Sequence, residues 1–391
     1  MNTFDLNQVN KLVLKKHHLT EVDKIDDIIQ ITEDLCGLHS TEPKTSHLSL
    51  FVRTQNFKKS DLEKELYTSK TMGRIRGMRR TLFIQTKNMI PIIHAATFKL
   101  SEKTFQKYME YHGISLKDYQ EISNFILKIL KGRELSASEI RKELNSKSNI
   151  PAIIQLMCNY GLLIRGRPIK DWNDRRNKYV LFKEQFPDVD LAKINEKNAI
   201  KSLVERYIIS YGPVSENDIS WWTGLTKTKI RGALNEIQEK LEKVKISNLK
   251  GEFIIFKSDI NQLKDFNDFK EKTLNFLPEL DPYSMGYKER ERYIDSSNYN
   301  SVFDRSGNAT ATILINGKVI GVWDVEEKPE PLVKFYLFNS IEDNLKNRLF
   351  ERAQKIGTFC LDINVQIKEC SSMTPLTDRS AGGFMTPLKN C

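Results

Sequence analysis

The chain has 391 residues, and its 61 lysines and arginines exceed its 51 aspartates and glutamates, which gives a net charge of +10 at pH 7. This length predicts two or three domains, and no apolar run approaches the roughly 20 residues that cross a bilayer, which excludes a membrane protein. The N-terminus lacks the layout of a signal peptide, so we expect a cytoplasmic protein. A basic surface attracts phosphate polymers, although Lys-, Ile- and Asn-rich usage can equally reflect an AT-rich genome.

Residues 1–100 are predicted to form a helical unit that ends in a basic hairpin. Helical patterns lie near residues 7–16, 20–38, 44–54 and 60–67, and the hairpin lies near residues 75–84. The stretch from residue 70 to residue 87 has no carboxylate and carries the cations Lys70, Arg74, Arg76, Arg79, Arg80 and Lys87. Strand alternation would place Arg79 and Arg80 on opposite faces of the hairpin. The strip follows a polar cluster, His39-Ser40-Thr41-Glu42, and together they suggest chemistry on a polyanion.

Residues 101–190 are predicted to repeat this layout. The pattern indicates a helix through residues 122–129, a helix capped by Ser138 that ends at Leu144, and an apolar helix over residues 150–160. Two wing strands are expected at residues 162–165 and 179–182. The basic residues on and around them are Arg165, Arg167, Lys170, Arg175, Arg176 and Lys178, diluted by Asp171 and Asp174.

Residues 191–258 give the clearest pattern, three helices followed by a hairpin, which is typical of a winged helix. Gly212-Pro213 ends the first helix, and Ser215 and Thr226 are typical N-caps for the next two. The hairpin is expected around residues 248–251. Near the start of the third helix, Lys227, Lys229 and Arg231 lie where a recognition helix meets DNA. A structural winged helix with a solvated charged face explains the same residues.

Residues 259–370 are predicted to form an α+β module. Strands are expected at residues 310–315 and 319–323 across an Asn316-Gly317 turn, a strong hairpin signal. A strand at 333–338 and a helix at 341–356 follow. Residues 371–391 are expected to be a flexible tail.

The cysteines are odd in number and widely spaced, which predicts reduced thiols rather than a disulfide framework. They are Cys36, Cys158, Cys360, Cys370 and Cys391. Cys36 and His39 form a CxxH pair, but no second pair at ligand spacing follows. We therefore predict no metal site and no cofactor.

Three stretches, in this order along the chain, resemble one protein family. They are residues 35–41 with the helix at 48–53, residues 78–82, and residues 277–281 with 307–323. Over about residues 5–365 the chain resembles the AlkZ-type winged-helix DNA glycosylases. The resemblance implies an α+β fold, with tandem winged helices in a C-shaped arrangement around duplex DNA and a C-terminal β-containing module. It also implies excision of alkylated purines and unhooking of interstrand crosslinks.

The resemblance also implies a catalytic motif. Family members carry Gln-x-Gln or His-x-Gln after a Gly-Leu pair, and the two positions here are His39 and Thr41. His39 would activate water as a neutral imidazole, so the rate should climb between about pH 6 and 7, and Thr41 would orient the water or the sugar although it lacks a carboxamide. Alternatively, His39 is a helix-terminal histidine bonded to backbone. Glu42 and Asp281 are further carboxylate candidates, but Asp281 precedes a proline and the turn interpretation is preferred.

The predicted activity is that of a monofunctional DNA repair glycosylase, which hydrolyses the N-glycosidic bond of N7- or N3-alkylated purines. Candidate DNA contacts are Arg76, Arg79, Arg80, Arg165, Arg167, Lys227, Lys229, Arg231 and Arg305. Trp221 and Trp222 are interpreted as core residues rather than base-stacking wedges. The expected partner is duplex DNA with alkylated bases or crosslinks, bound by a monomer that is nucleoid-associated if the source is prokaryotic. The alternatives are a catalytically inactive DNA-binding protein, acting as damage sensor or transcription regulator, and a protein-interaction scaffold.

Overall fold

The computed structural model describes residues 1–98, 102–145, 148–264, 271–378, 387–388 and 391. Its α-helices are α1 Leu6–Lys16, α2 Ile28–Asp34, α3 Pro43–Phe51, α4 Lys59–Tyr67, α5 Met89–Thr97, α6 Glu102–Tyr111, α7 Leu116–Ile129, α8 Ala137–Leu144, α9 Ile150–Asn159, α10 Phe182–Gln185, α11 Glu196–Tyr211, α12 Glu216–Thr223, α13 Lys227–Ile237, α14 Lys257–Lys264, α15 Tyr299–Val302 and α16 Asp343–Leu361. Its strands are β1 Thr3–Phe4, β2 Leu38–His39, β3 Met72–Arg76, β4 Leu82–Thr86, β5 Leu135–Ser136, β6 Leu163–Pro168, β7 Asn177–Leu181, β8 Leu241–Ile246, β9 Phe253–Phe256, β10 Leu274–Leu277, β11 Thr312–Ile315, β12 Lys318–Glu326, β13 Leu332–Leu337 and β14 Gln366–Glu369. Short 3-10 helices lie at Glu21–Asp23, Met78–Arg80, Gln238–Lys240, Ser296–Asn298 and Leu376–Asp378. Within these ranges no helix is long and apolar enough to cross a membrane.

Side-chain caps fix where several helices begin. Ser215 caps α12 in a capping box with Asp218, and the Thr226 side chain accepts from the Lys229 backbone N–H at the start of α13. Both caps are as predicted. Helix α8 is capped by Ser136, not Ser138, because Ser136 forms a reciprocal capping box with Glu139.

The prediction of one long helix at residues 20–38 is wrong. A 3-10 turn at Glu21–Asp23 comes first, and α2 begins only after Asp27, whose carboxylate accepts from the backbone N–H groups of Ile29 and Gln30. Asp27 satisfies two of the orphan donors of a new helix, so the chain starts α2 there instead of continuing an earlier one.

The first two units share one sheet among the described residues. Its strand order is β2-β4-β3-β6-β7-β5, and the two halves join where Arg74 on β3 pairs with Arg165 on β6. The basic hairpin of the first unit, formed by β3 and β4, therefore lies beside the hairpin of the second unit instead of projecting alone.

The third unit contains α11, α12 and α13 followed by the β8–β9 hairpin. Strand β1, at the very start of the chain, pairs in parallel with β8, with Phe4 opposite Ile246. Phe4, Val9 and Leu12 share a buried cluster with Val244 and other residues of this hairpin. The N-terminal segment thus packs on the third unit, about 240 residues away in sequence.

The C-terminal module is a five-stranded sheet, β10-β11-β12-β13-β14, packed against α16. The predicted Asn316-Gly317 turn joins β11 to β12, and both residues have positive φ, 50° and 79°, as a tight hairpin turn requires. Strands β10 and β14 at the two edges have no counterpart among the predicted elements.

The prediction that all cysteines are reduced is wrong for two of them. Cys370 and Cys391 form a disulfide with a Cα–Cα distance of 5.6 Å. A separation of 21 residues gives no local sign of this pairing. Leu376 and Leu388 are buried. The predicted flexible tail falls partly on residues 379–386 and 389–390, which lie outside the described residues.

Candidate active site

The sheet of the first unit holds His39 in place. His39 ends β2 opposite Phe83 on β4, the Ser40 backbone N–H donates to the Leu82 carbonyl at 2.8 Å, and Ser46 Oγ donates to the His39 carbonyl at 2.9 Å. The imidazole packs edge-on against the Phe83 ring, with 5.2 Å between the ring centroids. Backbone and ring contacts therefore fix the imidazole, and only 7% of the residue is exposed.

A small cavity opens beside this imidazole. Its volume is about 30 Å³, and it is lined by His39, Arg79, Thr81, Phe83, Tyr211, Trp222, Leu280, Pro282, Met285 and Asn308. These residues come from the first unit, the third unit and the segment that precedes β11. A cavity of this size holds a water molecule but not a purine. A nucleotide that reacted here would remain at the mouth of the cavity.

The environment of His39 keeps its imidazole neutral. Burial lowers the pKa of His39 to about 4, and the nearby Arg79 charge acts in the same direction. Nδ1 is buried, and no hydrogen bond joins the His39 ring to any described residue. The alternative hypothesis is that His39 ends a helix and bonds to the backbone. Among the described residues its ring makes no such bond. The rise in rate predicted between pH 6 and 7 is also inconsistent with a pKa of about 4.

The other two candidates of the polar cluster lie outside the cavity. Thr41 is exposed and is not among the residues that line the cavity. Glu42 accepts from Arg175 Nε at 2.7 Å and from Arg175 Nη2 at 2.6 Å. Burial raises the pKa of the Glu42 carboxyl, and the Arg175 guanidinium opposes that rise. The structure thus brings His39 to the cavity without Thr41 or Glu42.

Asp281 has a structural role in place of the catalytic one considered from sequence. Its carboxylate accepts from Arg53 Nη1 and Nη2 at 2.8 and 2.7 Å and from Ser49 Oγ at 2.9 Å. It also accepts from the Tyr283 backbone N–H at 2.9 Å, which closes the predicted turn. Both charged side chains are fully buried. These bonds hold α3 to the start of the C-terminal module and leave the carboxylate no access to a substrate.

The turn between β3 and β4 points Arg79 at the cavity. Residues 78–80 form a 3-10 turn, not a strand, so the alternation predicted for Arg79 and Arg80 is wrong. Both arginines have positive φ, 53° and 59°, a conformation that costs non-glycine residues on the order of 1–3 kcal/mol each. Gly224 permits this turn to approach, because a Cβ there would lie 3.3 Å from the Arg79 backbone nitrogen.

Trp221 and Trp222 occupy two different environments. Trp222 is buried and lines the cavity, as a core residue would. Trp221 is half-buried between two guanidinium groups, with Arg79 4.2 Å and Arg290 5.0 Å from its ring centroid. The ring face attracts both cations and thereby fixes the side chain of Arg79 at the edge of the cavity.

The predicted DNA contacts differ in how they are held. Among the described residues, the exposed side chains of Arg80 and Lys227 have no hydrogen bond or ion pair, whereas Arg79 stacks on Trp221. The other six bind protein groups: Arg76 and Arg165 bind Gln155, Arg167 binds Glu134, Lys229 binds Glu196, Arg231 binds Glu216, and Arg305 donates to the Thr377 carbonyl. Three of these partners are carboxylates, those of Glu134, Glu196 and Glu216. Exposed ion pairs contribute little to stability, so a DNA phosphate can displace these carboxylates.

The model of the family described as DNA glycosylase AlkZ-like matches residues 32–341, more than half of the chain. The chain belongs to the AlkZ-like DNA glycosylase family. Among solved structures, the Streptomyces sahachiroi DNA glycosylase AlkZ is similar to this AlkZ-like chain with a TM-score of 0.76 and 16% sequence identity, over 95% of this chain and 100% of that one. At this identity the likeness shows a shared fold. No curated protein matches the sequence.

Sequence reasoning missed most of the cavity wall of this AlkZ-like protein. Asn308, Leu280 and Met285 carry no motif that marks them as site residues, although two of them lie in the stretches that carry the resemblance. Leu280 has a positive φ of 57°, and its backbone N–H donates to the Ala309 carbonyl at 3.0 Å. That bond brings two segments 29 residues apart to one wall, and no local pattern indicates it.

Proposed function

We propose that this protein is a monofunctional DNA glycosylase that hydrolyses the N-glycosidic bond of N7- or N3-alkylated purines in duplex DNA. The observation that carries the proposal is a water-sized cavity beside a neutral, fixed imidazole, with Arg79 at its edge. His39 takes a proton from water as the water oxygen attacks C1′ of the sugar, and the bonding electrons leave with the base. General base catalysis contributes about a hundredfold to ten-thousandfold and is most effective when the pKa of the base lies near the operating pH, so a base with a pKa of about 4 belongs at the lower end of this range.

The chemistry of the cavity favours a cationic lesion. The described residues that line it include no carboxylate, and Glu42 and Asp281 are both held in ion pairs elsewhere. Among the described residues, the lining of the cavity therefore offers no carboxylic acid to protonate a leaving base and no carboxylate to stabilise an oxocarbenium-like sugar. An N7- or N3-alkylated purine already carries a positive charge and leaves as a neutral base. Such a substrate needs a positioned water more than it needs an acid.

We also propose that the three helix-and-hairpin units are tandem winged helices that bend around duplex DNA. Their exposed cations, above all Arg80 and Lys227, would contact phosphates on both sides of the lesion. Because the cations are distributed over several units, binding should show little sequence preference. Interstrand crosslinks through alkylated purine nitrogens present the same cationic leaving group, so their unhooking is included in this proposal.

The test is base excision from a duplex that contains one N7-methylguanine. Excess native protein should produce alkali-labile abasic sites, and His39→Ala should reduce their rate of formation by about a hundredfold or more while DNA binding persists. His47→Ala is the matched control, because burial lowers the pKa of His47 to about 4 as well, but His47 packs on Trp172 outside the cavity. If the native protein releases no base from N7-methylguanine, N3-methyladenine or a crosslinked duplex, it is a non-catalytic DNA-binding protein.

A further inference from the structure

Asn308 faces the same cavity as His39 and is held by several bonds within its loop. Its side-chain Nδ2 donates to Asp304 Oδ2 at 2.9 Å, and its backbone N–H donates to Asp304 Oδ1 at 2.8 Å. The Asp304 backbone N–H in turn donates to the Asn308 carbonyl at 3.0 Å. The neighbouring Gly307 carbonyl accepts from Arg290 Nη2 at 2.6 Å, which anchors the loop to a buried guanidinium.

These bonds determine which end of the amide is available. A carboxylate only accepts, so Asp304 must face the NH₂ group of Asn308. The amide oxygen therefore lies on the other side, and among the described residues no donor is bonded to it. This oxygen is therefore left to accept from a water O–H.

We infer that Asn308 is the second water-positioning residue of the site and supplies the carboxamide that the family motif places at the position of Thr41. Thr41 is exposed and lies outside the cavity, whereas Asn308 lines it together with His39. The attacking water has two protons. One passes to the His39 imidazole, and the other is held by the Asn308 oxygen, which aims a water lone pair at the mouth of the cavity. This inference rests on the proposed glycosylase function.

The experiment compares single-turnover excision of N7-methylguanine from a duplex by the native protein and by Asn308→Ala. Misplacing a reactant by about 1 Å can cost a hundredfold, so Asn308→Ala should be roughly a hundredfold slower with unchanged duplex affinity. Asp304→Ala leaves the amide in place but free to rotate, and it should show a smaller loss. Asn300 is an exposed asparagine that does not line the cavity, so Asn300→Ala should retain the native rate.

A second readout separates positioning from a general loss of structure. Methanol competes with water for C1′ and yields a methyl glycoside instead of an abasic site. The native cavity of about 30 Å³ has room for about one water, so the larger methanol molecule should enter it less readily, and removing the Asn308 side chain should enlarge it. The ratio of methyl glycoside to abasic site should therefore rise in Asn308→Ala and stay at the native value in Asn300→Ala.

The outcomes are distinguishable. A native protein that is active, together with an Asn308→Ala variant of native rate and native product ratio, overturns the role of Asn308 and leaves the proposed function standing. A native protein that is inactive on every lesion overturns both. If Asn308→Ala does not fold, Asp304→Ala decides, and a native rate in that variant contradicts the inference.

Discussion

Lowering the pH from 7 to 5 should hardly change the excision rate, and the reason is the environment of His39. Burial, assisted by the Arg79 charge, brings the pKa of His39 to about 4. At pH 5 a group with that pKa is about 90% neutral, whereas a histidine with its ordinary pKa of about 6.5 is only about 3% neutral. The two cases differ about thirtyfold in the amount of competent base. We therefore predict that the rate falls by only about one tenth.

The assay is single-turnover release of N7-methylguanine from a duplex between pH 5 and 8, with spontaneous depurination and the rate of His39→Ala subtracted at each pH. The folded-state pKa values of His39 and His47 lie below the unfolded value of about 6.5. Both histidines therefore favour folding above that pH and lose this contribution as the pH falls from about 6.5 toward 4. Melting temperature and duplex affinity must be measured at each pH for this reason. A rate that rises sharply around pH 6 to 7, in protein that remains folded and bound, would refute the assignment of a depressed pKa to the catalytic base.

The remaining predictions concern stability, DNA binding and the motif. Asp281→Ala leaves the buried Arg53 charge without its partner and should lower the free energy of unfolding by about 3–5 kcal/mol, measured by urea denaturation. The double variant that carries Arg79→Ala and Arg80→Ala should bind damaged and undamaged duplexes equally more weakly than the native protein. Each phosphate that is no longer neutralised should make the slope of log affinity against log salt shallower by about 1. Thr41→Gln should leave the excision rate unchanged, because position 41 is exposed outside the cavity.

The control for Asp281→Ala is Glu252→Gln, which removes an exposed ion pair with Lys243 and should leave the free energy of unfolding unchanged. An equally small effect of Asp281→Ala would show that the Arg53–Asp281 pair does not stabilise the fold. Lys346→Ala removes one charge on α16, outside the helix-and-hairpin units, and should leave the salt slope unaltered. Loss of binding to damaged DNA alone in the double arginine variant would mean that these arginines read the lesion. A large fall in rate with Thr41→Gln would place that residue in the reaction.

Local structure could be predicted where a few neighbouring residues decide it. The Ser215 and Thr226 caps and the Asn316-Gly317 turn depend on backbone geometry within four residues, and all three are found as expected. The helix predicted over residues 20–38 failed because apolar spacing continued past Asp27, whose side chain starts a new helix. The periodicity of apolar residues shows which face of a helix is buried, but it does not show where a capping residue ends one helix and starts the next.

Only part of the candidate site could be found from sequence. The motif identifies His39 as a candidate from sequence. The low pKa of His39 could not be predicted, because it results from burial by residues that are distant in sequence. Asn308 lies 269 positions after His39, and Asp281 lies 228 positions after Arg53, so neither contact leaves a local pattern. Asp281 illustrates the limit best, because a carboxylate before proline is compatible with a turn, a catalytic acid or a buried ion pair. Tertiary structure selects among these.

The central claim is that this protein releases a cationic alkylated purine by means of the His39 cavity. Mass spectrometry of the small-molecule fraction, after excess protein is incubated at pH 7 with a duplex containing N7-methylguanine, tests it directly. We predict free N7-methylguanine in amounts equal to the abasic sites formed, at a rate far above that of His39→Ala and of the duplex alone. Release by the native protein at the rate of His39→Ala, with both proteins bound to the duplex, would contradict the claim.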